Sequence, residues 1–181
     1  MQWNILADAL AFNSFDRVPD ELLHWNVRLP LIVHHIKDQN PDILVLEECD
    51  KFDSIMAALG TQWHGVFGPK KGQEIGNAII WRPEKVQAEG DKLVSFFPEM
   101  TQNYVCQSFL YAGTSFKVVA THLKAKPEFT EIRNIQCKHL IDTLPNTEKT
   151  LIFGDFNDTP DSEPVKMLKE KFPSLAVEFT G

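Results

Sequence analysis

Cysteine is scarce in this sequence, and a long apolar run is missing from it. The 181 residues include three cysteines, Cys49, Cys106 and Cys137, and none of them forms a Cys-x-x-Cys pair. A disulfide framework is thereby excluded, and a reducing compartment is the simpler expectation. No stretch of about 18 apolar residues occurs, so the sequence predicts no membrane-spanning helix. Because the first residues also lack the profile of a secretory signal, we expect an intracellular, cytoplasmic protein without membrane contact.

Basic residues are also few relative to acidic ones. Eighteen Lys and Arg residues against 25 Asp and Glu residues give a net charge of −7 at pH 7. This balance argues against a protein that holds long nucleic acid by bulk electrostatics, although a local basic patch could still bind it. The charge is compatible with an enzyme whose carboxylates bind a hard cation, and equally with an ordinary soluble surface.

Internal repeats, low-complexity tracts and Gly/Ser linkers do not occur, so residues 1–181 are expected to form one domain. Strand-like and helix-like apolar patterns alternate along the chain. Strands are predicted at 1–6, 43–46, 63–67, 77–81, 92–96, 104–111, 115–120 and 150–153, and helices at 26–39, 50–59, 128–144 and 162–171. Two groups of strands with helices outside them predict an α/β fold, a sandwich of two packed mixed β-sheets flanked by helices.

Local signals refine these elements. Pro30 should occupy the opening turn of the first helix, and Asp50 is a candidate N-cap of the second. The segment Ala112-Gly113-Thr114 should turn two strands into a hairpin. The third helix should bury an apolar face that includes Ile132 and Ile135.

The segment Leu-Ile-Phe-Gly-Asp-Phe-Asn-Asp at 151–158 delivers two polar groups just past an apolar strand. Residues i and i+2 point the same way along an extended segment, so the Asp155 carboxylate and the Asn157 amide could face one substrate phosphate. The alternative is a Gly-Asp turn closed by an Asx hydrogen bond.

A second candidate site follows residues 43–46, where four apolar residues run into Glu47 and Glu48. A buried strand that exposes an acid at its carboxyl end places a charge at the mouth of the fold, where Mg²⁺ can bind through one or two carboxylates. Glu48 is the better candidate ligand. The alternative is a solvated strand exit, with Asp50 capping the next helix.

A third candidate is His122, which ends an apolar strand and precedes Lys124 and Lys126. His122 could donate a hydrogen bond to a phosphoryl oxygen, while the two lysines supply local positive charge. A lone histidine is more often structural, and this alternative stays open for His122. The structural role is expected for the remaining histidines, His24, His34, His35, His64 and His139.

The fourth candidate is Asn4, a single amide within the short apolar strand at the N-terminus. A buried amide needs a partner, which could be a metal ligand, a phosphate or a neighbouring turn. Each of the four segments places a polar residue at or near a strand end. Together they predict one active site.

These motifs, in this order, resemble those of the endonuclease/exonuclease/phosphatase superfamily, and within it the branch that holds nocturnin, the CCR4-type deadenylases and the Angel proteins. The resemblance covers nearly the whole chain and rests on Met-Gln-Trp-Asn-Ile-Leu-Ala at 1–7, Thr-His-Leu-Lys-Ala-Lys at 121–126 with Arg133 and Gln136-Cys137 after it, and Gly-Asp-Phe-Asn at 154–157. The second of these segments is most similar to nocturnin.

The resemblance implies a four-layer α/β sandwich that holds Mg²⁺, or Mn²⁺, at Glu48 with Asn4 nearby. It also implies that Asp155 directs a water towards phosphorus, while Asn157 and His122 stabilise the charge of the transition state.

Three departures from the family pattern stand out. Glu47 replaces the usual Gln, and Ile75-Gly76-Asn77-Ala78 replaces Asp-Gly-Cys-Ala, so that Glu74 would have to substitute for the missing Asp. The C-terminal strands of the family, with their Ser-Asp-His segment, do not occur before Gly181. Because a sheet without its last strands would expose unpaired edges, we expect a C-terminally truncated domain rather than a natural short protein that has lost catalysis.

The expected activity is Mg²⁺-dependent hydrolysis of a nucleotide or nucleic-acid phosphate ester. The resemblance implies two substrates, the 2′-phosphate of NADP(H) and the poly(A) 3′ end of RNA, and Lys124, Lys126 and Arg133 are the expected substrate-binding residues for either. The alternative is a catalytically inactive phosphate- or RNA-binding module of an RNA-decay or regulatory assembly. The sequence identifies no protein partner.

Overall fold

The computed structural model describes residues 1–12, 15, 17–144 and 149–172. This part of the chain contains the strands β1 (Gln2–Asn4), β2 (Ile43–Cys49), β3 (His64–Pro69), β4 (Gly76–Trp81), β5 (Gln87–Phe96), β6 (Asn103–Tyr111), β7 (Thr114–His122) and β8 (Thr150–Asp155). It also contains the helices α1 (Asp8–Ala11), α2 (Asp20–Leu23), α3 (Trp25–Gln39), α4 (Phe52–Leu59), α5 (Thr130–Thr143) and α6 (Glu163–Lys171), with a 3₁₀ turn at Pro127–Phe129. The last residues of the expected domain, 173–181, lie outside the described part.

The strands form two four-stranded sheets, one in the order β1-β2-β4-β3 and the other in the order β5-β6-β7-β8. In the first sheet β1 is parallel to β2, and the remaining pairs are antiparallel. In the second sheet β7 is parallel to β8, and the remaining pairs are antiparallel. Both sheets are therefore mixed, as predicted.

The sheets pack face to face, and helices cover their outer faces. An inner core between the sheets includes Val45 and Ile79 from the first sheet and Val105 and Val118 from the second. The outer face of the first sheet packs on α3 and α4, and that of the second on α5 and α6. This arrangement has four layers and confirms the predicted α/β sandwich. Across the described ranges, no helix has the length and apolar character needed to cross a membrane.

Two local predictions about the first half of the chain are wrong. Pro30 lies inside α3 rather than in its opening turn, because the helix begins at Trp25. Asp50 does not cap α4: Lys51 occupies the N-cap position, and the Asp50 carboxylate instead accepts the backbone N–H of Ala9 at 3.0 Å. The carboxylate of Asp50 therefore ties α1 to the end of β2.

The apolar face predicted for α5 is also partly wrong. Ile135 is 51% exposed, whereas the polar residues Arg133 and Gln136 are buried at 2% and 0% exposure. Polar groups at these positions are tolerated because they hydrogen-bond to the loop after β7. The predicted hairpin is confirmed, since Ala112 and Gly113 adopt the left-handed conformation at φ 48° and 76° between the paired residues of β6 and β7.

Candidate active site

The carboxyl ends of β1, β2, β7 and β8 meet at one edge of the sandwich. The strand β8 contacts both β1 and β2 of the opposite sheet. Asn4, His122 and Asp155 are the last residues of β1, β7 and β8, and Glu48 is the last but one of β2. The fold thus brings together polar residues from all four segments that the sequence singled out.

Asn4 connects the two carboxylates of this group. Its Nδ2 donates to Oε1 of Glu48 at 3.1 Å and to Oδ2 of Asp155 at 3.0 Å. Its Oδ1 accepts the backbone N–H of Leu6 at 3.1 Å, which fixes the orientation of the amide. The side chain of Asn4 therefore holds Glu48 of one sheet close to Asp155 of the other.

Irregular backbone at the end of β2 directs its two glutamates to different places. The pairing of β2 with β4 shifts register between Leu46 and Cys49, and Glu48 has the left-handed φ of 53°. Glu48 is partly exposed, and its Oε2 lies 3.3 Å from the backbone N–H of Ala7, which donates to it. Glu47 is 0% exposed. Of the two glutamates, Glu48 is therefore the accessible carboxylate, and its role as a metal ligand stays a prediction.

Glu47 is a buried carboxyl group beside the site. Its Oε2 accepts a hydrogen bond of 2.5 Å from Nε2 of Gln2, and its Oε1 has no hydrogen-bond partner among the described residues. Burial raises the pKa of Glu47 to about 8, and the nearby charges of Asp155 and Glu48 act in the same direction. Glu47 is therefore largely uncharged at neutral pH, as the Gln that it replaces would be.

Asp155 and Asn157 do not extend along one strand face. The strand β8 ends at Asp155, and Asn157 has a left-handed φ of 50°. The backbone N–H of Asn157 donates to Oδ1 of Asp155 at 2.9 Å, which is the Asx hydrogen bond of the alternative interpretation. The expected same-side alternation is therefore wrong, but the turn leaves Oδ2 of Asp155 directed at Asn4. The Asn157 side chain donates to the carbonyl oxygen of Leu123 at 3.1 Å.

His122 lies next to Asp155 at the end of the paired strands β7 and β8. It is buried, its Nε2 is 3.9 Å from Oδ2 of Asp155, and its Nδ1 has no hydrogen-bond partner in the described part of the chain. Burial lowers the pKa of His122, as does the nearby Lys70, whereas Asp155 and Glu48 oppose that shift. The imidazole is therefore neutral at physiological pH and retains one N–H donor.

Lys70 belongs to this group of residues, although the sequence analysis did not select it. It follows β3, and its backbone N–H donates to the carbonyl oxygen of Ile75 at 2.8 Å. Burial and the neighbouring Lys124 lower the pKa of Lys70, while Glu48 raises it. The predicted strand ended at Phe67, whereas β3 extends to Pro69, so the sequence analysis did not recognise Lys70 as a residue at a strand end.

The three predicted substrate-binding residues have different surroundings. The Nζ of Lys124 lies 4.7 Å from the centroid of the Phe129 ring, and Lys124 is close enough to Lys70 to influence its pKa. Lys126 is exposed on the loop between β7 and the 3₁₀ turn. Arg133 is buried at 2% exposure, and its guanidinium nitrogens bond to protein groups. This position leaves Arg133 out of reach of a substrate.

The segment Ile75-Gly76-Asn77-Ala78, which departs from the family pattern, supports the backbone near Lys70. Asn77 is buried, and its Nδ2 donates to the side-chain oxygen of Asn103 at 3.1 Å. Asn103 in turn donates to the carbonyl oxygens of Gly68 and Pro69, at 3.2 and 2.6 Å. Glu74, the possible substitute for the missing Asp, is exposed and lines a groove of about 390 Å³ beside the site, together with Asp8, Asp50, Lys51, Gln73 and Ile75.

The donor atoms at the site are suitable for Mg²⁺. Within residues 1–12, 15, 17–144 and 149–172, no group of three or more His, Cys, Asp or Glu side chains is arranged to hold a metal. Mg²⁺ does not need such a cage, because it binds through one or two carboxylates and keeps several waters. Glu48 and Asp155 supply carboxylate oxygens of the kind that Mg²⁺ prefers, and the amide nitrogen of Asn4 lies between the two groups.

The chain combines a sandwich of two sheets with carboxylates, an amide and a histidine at the ends of its strands. This combination corresponds to a known family. Residues 1–178 match the model of the Endonuclease/Exonuclease/phosphatase family. The chain belongs to this family, as the sequence analysis predicted.

Relatives and a solved structure confirm the predicted branch. The chain is 32% identical to nocturnin of Drosophila melanogaster, with 91% of this chain and 29% of that protein covered, and 31% identical to nocturnin of Homo sapiens, with 92% and 44% covered. The structure of the human nocturnin catalytic domain with a bound sulfate anion superposes with a TM-score of 0.77 at 25% identity, and covers 93% of this chain and 67% of that one. The chain thus spans less than half the length of these two relatives, and the expected truncation stays a prediction.

Proposed function

We propose that this chain provides the metal- and phosphate-binding part of a Mg²⁺-dependent phosphoesterase that acts on a nucleotide or on the 3′ end of an RNA. The main observation in support of the proposal is that one nitrogen of Asn4 donates a hydrogen bond to Glu48 and another to Asp155. Around this pair lie a neutral histidine and two lysines, the side chains that a phosphate group requires. The sulfate anion in the human nocturnin domain supports the proposal, because sulfate and phosphate are both tetrahedral anions.

Glu48 is the proposed ligand of Mg²⁺, and Mn²⁺ would meet the same oxygen donors. When bound, such an ion would polarise a phosphoryl oxygen and lower the pKa of a coordinated water. The hydrogen bonds from Asn4 and from the backbone N–H of Ala7 hold the Glu48 carboxylate in place before the ion arrives. This preorganisation reduces the cost of fixing the ligand when metal binds.

Asp155 is the proposed acceptor for the proton of the attacking water. Its Oδ1 accepts from the backbone N–H of Asn157 and its Oδ2 from the amide of Asn4, and Oδ2 keeps a second lone pair that can accept from a water. The amide of Asn4 donates to this same Oδ2 and keeps it directed into the site. Proton transfer through a carboxylate in hydrogen-bonding reach of the nucleophile is general base catalysis.

His122 and Asn157 are the proposed donors to the phosphoryl oxygens. A neutral imidazole retains one N–H, and the second amide proton of Asn157 remains available after the bond to Leu123. Lys70 and Lys124 add positive charge from the neighbouring loops, and the exposed Lys126 is the proposed contact for a more distant part of the substrate. Donors fixed in this way stabilise the additional negative charge of a pentacoordinate phosphorus.

The test compares two substrate classes in the presence of Mg²⁺. Release of inorganic phosphate from NADPH would identify a nucleotide 2′-phosphatase, and shortening of an oligoadenylate would identify a 3′ exoribonuclease. The net charge of −7 favours the compact nucleotide over a long RNA. If neither substrate reacts but the chain still binds inorganic phosphate, the enzyme proposal would be wrong. The alternative, a non-catalytic phosphate-binding module, would then be favoured.

A further inference from the structure

Arg133 lies beneath the loops that follow β7 and β8 and bonds to both. Its Nη1 donates to the carbonyl oxygens of Lys124 and Lys126, at 2.9 and 2.8 Å. Its Nη2 donates to Oγ1 of Thr130 at 2.9 Å, and its Nε donates to Oδ2 of Asp158 at 2.7 Å. One guanidinium group therefore contacts two segments that carry candidate active-site residues.

We propose that Arg133 and Asp158 form a positioning pair, which holds the loop of Lys124 against the turn of Asn157 in the geometry that binds phosphate. This inference rests on the proposed function and deepens it, since it names residues that act on substrate through their neighbours.

The loop after β7 depends on α5 for its conformation. The N–H of Lys124 donates to Oε1 of Gln136 at 2.9 Å, while the carbonyl oxygen of the same residue accepts from Arg133. Both backbone polar groups of Lys124 are thus held by α5, which leaves its side chain to respond to a ligand. Lys126 has a left-handed φ of 80°, a strained conformation for a lysine, and its carbonyl oxygen also accepts from Arg133.

The turn after β8 meets the same helix through Asp158. This carboxylate accepts from Arg133 and, through Oδ1, from the backbone N–H of Thr159 at 2.9 Å. Burial acts to raise the pKa of Asp158, but the hydrogen bonds from Arg133 and Thr159 outweigh it and lower the pKa below its ordinary value. Asp158 is therefore charged at neutral pH, and the adjacent Asn157 is fixed between this ion pair and the carbonyl oxygen of Leu123.

Only an arginine can make this set of contacts. A guanidinium presents five N–H donors in one rigid plane, whereas an ammonium offers a single point charge on a flexible stem. Because Arg133 is buried and the Asp158 side chain is only 12% exposed, removal of Asp158 leaves the Arg133 charge without its partner in a largely desolvated place. Arg133→Lys keeps the positive charge but loses the planar set of N–H donors. Asp158→Asn keeps the shape of the side chain but loses its negative charge.

The experiment uses the full chain with either Arg133→Lys or Asp158→Asn. The matched control is Asp42→Asn, which breaks the 2.7 Å ion pair between Asp42 and Arg82 at the opposite end of β2. Three quantities are measured: kcat/KM on NADPH or on an oligoadenylate, the Kd of inorganic phosphate, and hydrogen exchange of residues 123–130 and 155–159.

The proposal predicts that both site variants weaken phosphate binding and reduce kcat/KM by about 10- to 100-fold, the usual cost of losing an outer-shell partner. Hydrogen exchange should rise in both loops together, and the double variant should be no worse than the poorer single variant, because the two residues act as one unit. The Asp42→Asn control should leave all three quantities unchanged.

Faster exchange without weaker phosphate binding would overturn the proposal, because the pair would then be structural only. Equal effects of the control and the site variants would overturn it as well. If Arg133→Lys does not fold, Asp158→Asn alone decides the question. If the unsubstituted chain hydrolyses no phosphoester, the proposed function fails, whereas phosphate binding and exchange still test the positioning pair. A full chain that does not bind phosphate at all would overturn both.

Discussion

The side-chain nitrogen of Asn4 lies 3.0 Å from Oδ2 of Asp155, and this contact joins the last residue of β1 in one sheet to the last residue of β8 in the other. The same nitrogen donates to Glu48 at 3.1 Å. Two carboxylates that would repel each other are thus held by one shared donor. The candidate site lies where the two sheets are joined, so its geometry depends on how they pack.

Replacing Asn4 with Asp should reduce turnover by about 10²- to 10³-fold, the typical cost of losing one fixed donor at a reacting centre. The substitution keeps the size of the side chain but places a third carboxylate between Glu48 and Asp155. Steady-state kinetics would measure the loss. Asn26→Asp is the matched control, because Asn26 is exposed in the first turn of α3, and its substitution should leave kcat unchanged. Wild-type kcat in Asn4→Asp would contradict the proposed role.

Replacing Glu48 with Gln should abolish Mg²⁺ binding and activity, because the amide lacks the charge that a hard cation requires. EDTA should have the same effect on the unsubstituted protein, and added Mg²⁺ should reverse it. Titration calorimetry with MgCl₂ measures the binding directly, without any need for substrate. Glu128→Gln, at an exposed position, provides the control. Undiminished Mg²⁺ binding by Glu48→Gln would assign the ion to another site.

Replacing Lys70 with Met should weaken substrate binding by about 10- to 100-fold, since a hydrogen bond to a charged group contributes about 1.5–3 kcal/mol. The adjacent, exposed Lys71 provides a control in Lys71→Met. Burial lowers the pKa of Lys70 below its ordinary value of 10.5, so the ammonium form loses its proton at a lower pH than an exposed lysine does. Phosphate affinity of the wild type should therefore decline as the pH rises through that lowered pKa, and the decline should be missing in Lys70→Met.

Replacing Glu47 with Gln should stabilise the protein at alkaline pH. The unfolded chain releases the Glu47 proton near the ordinary pKa of 4.5, whereas burial keeps it bound in the fold up to about 8. Between these values the unfolded state binds fewer protons, so the free energy of unfolding of the wild type falls as the pH rises. The total loss is on the order of a few kcal/mol and is complete above pH 8.

Thermal unfolding of Glu47→Gln and of the wild type at pH 5 and pH 8.5 measures this effect. The variant retains an oxygen that can accept from Gln2 and has no proton to lose. The Tm difference in favour of the variant should therefore be larger at pH 8.5 than at pH 5. A Tm difference that does not change with pH would show that Glu47 is ionised in the fold.

The sequence alone predicted the layers of the fold and most of the site. The period-2 and period-3.6 apolar patterns located the strands and the longer helices, because burial on one face imposes those periods on any chain. The positions of Asn4, Glu48, His122 and Asp155 were also predictable, since each lies at or near the carboxyl end of a strand. Two short helices, Asp8–Ala11 and Asp20–Leu23, were not predicted, because four residues carry no recognisable period.

Only the tertiary structure decided which side chains meet. Lys70 belongs to the site because the end of β3 brings it close enough to Glu48 and Lys124 to be influenced by their charges, and Arg133 does not reach substrate because α5 turns it inward towards two loops. The left-handed backbone of Glu48 and Asn157 likewise depends on contacts with distant segments. A sequence pattern reports burial and local propensity, but the direction of a side chain at an irregular strand end depends on neighbours that lie far away along the chain.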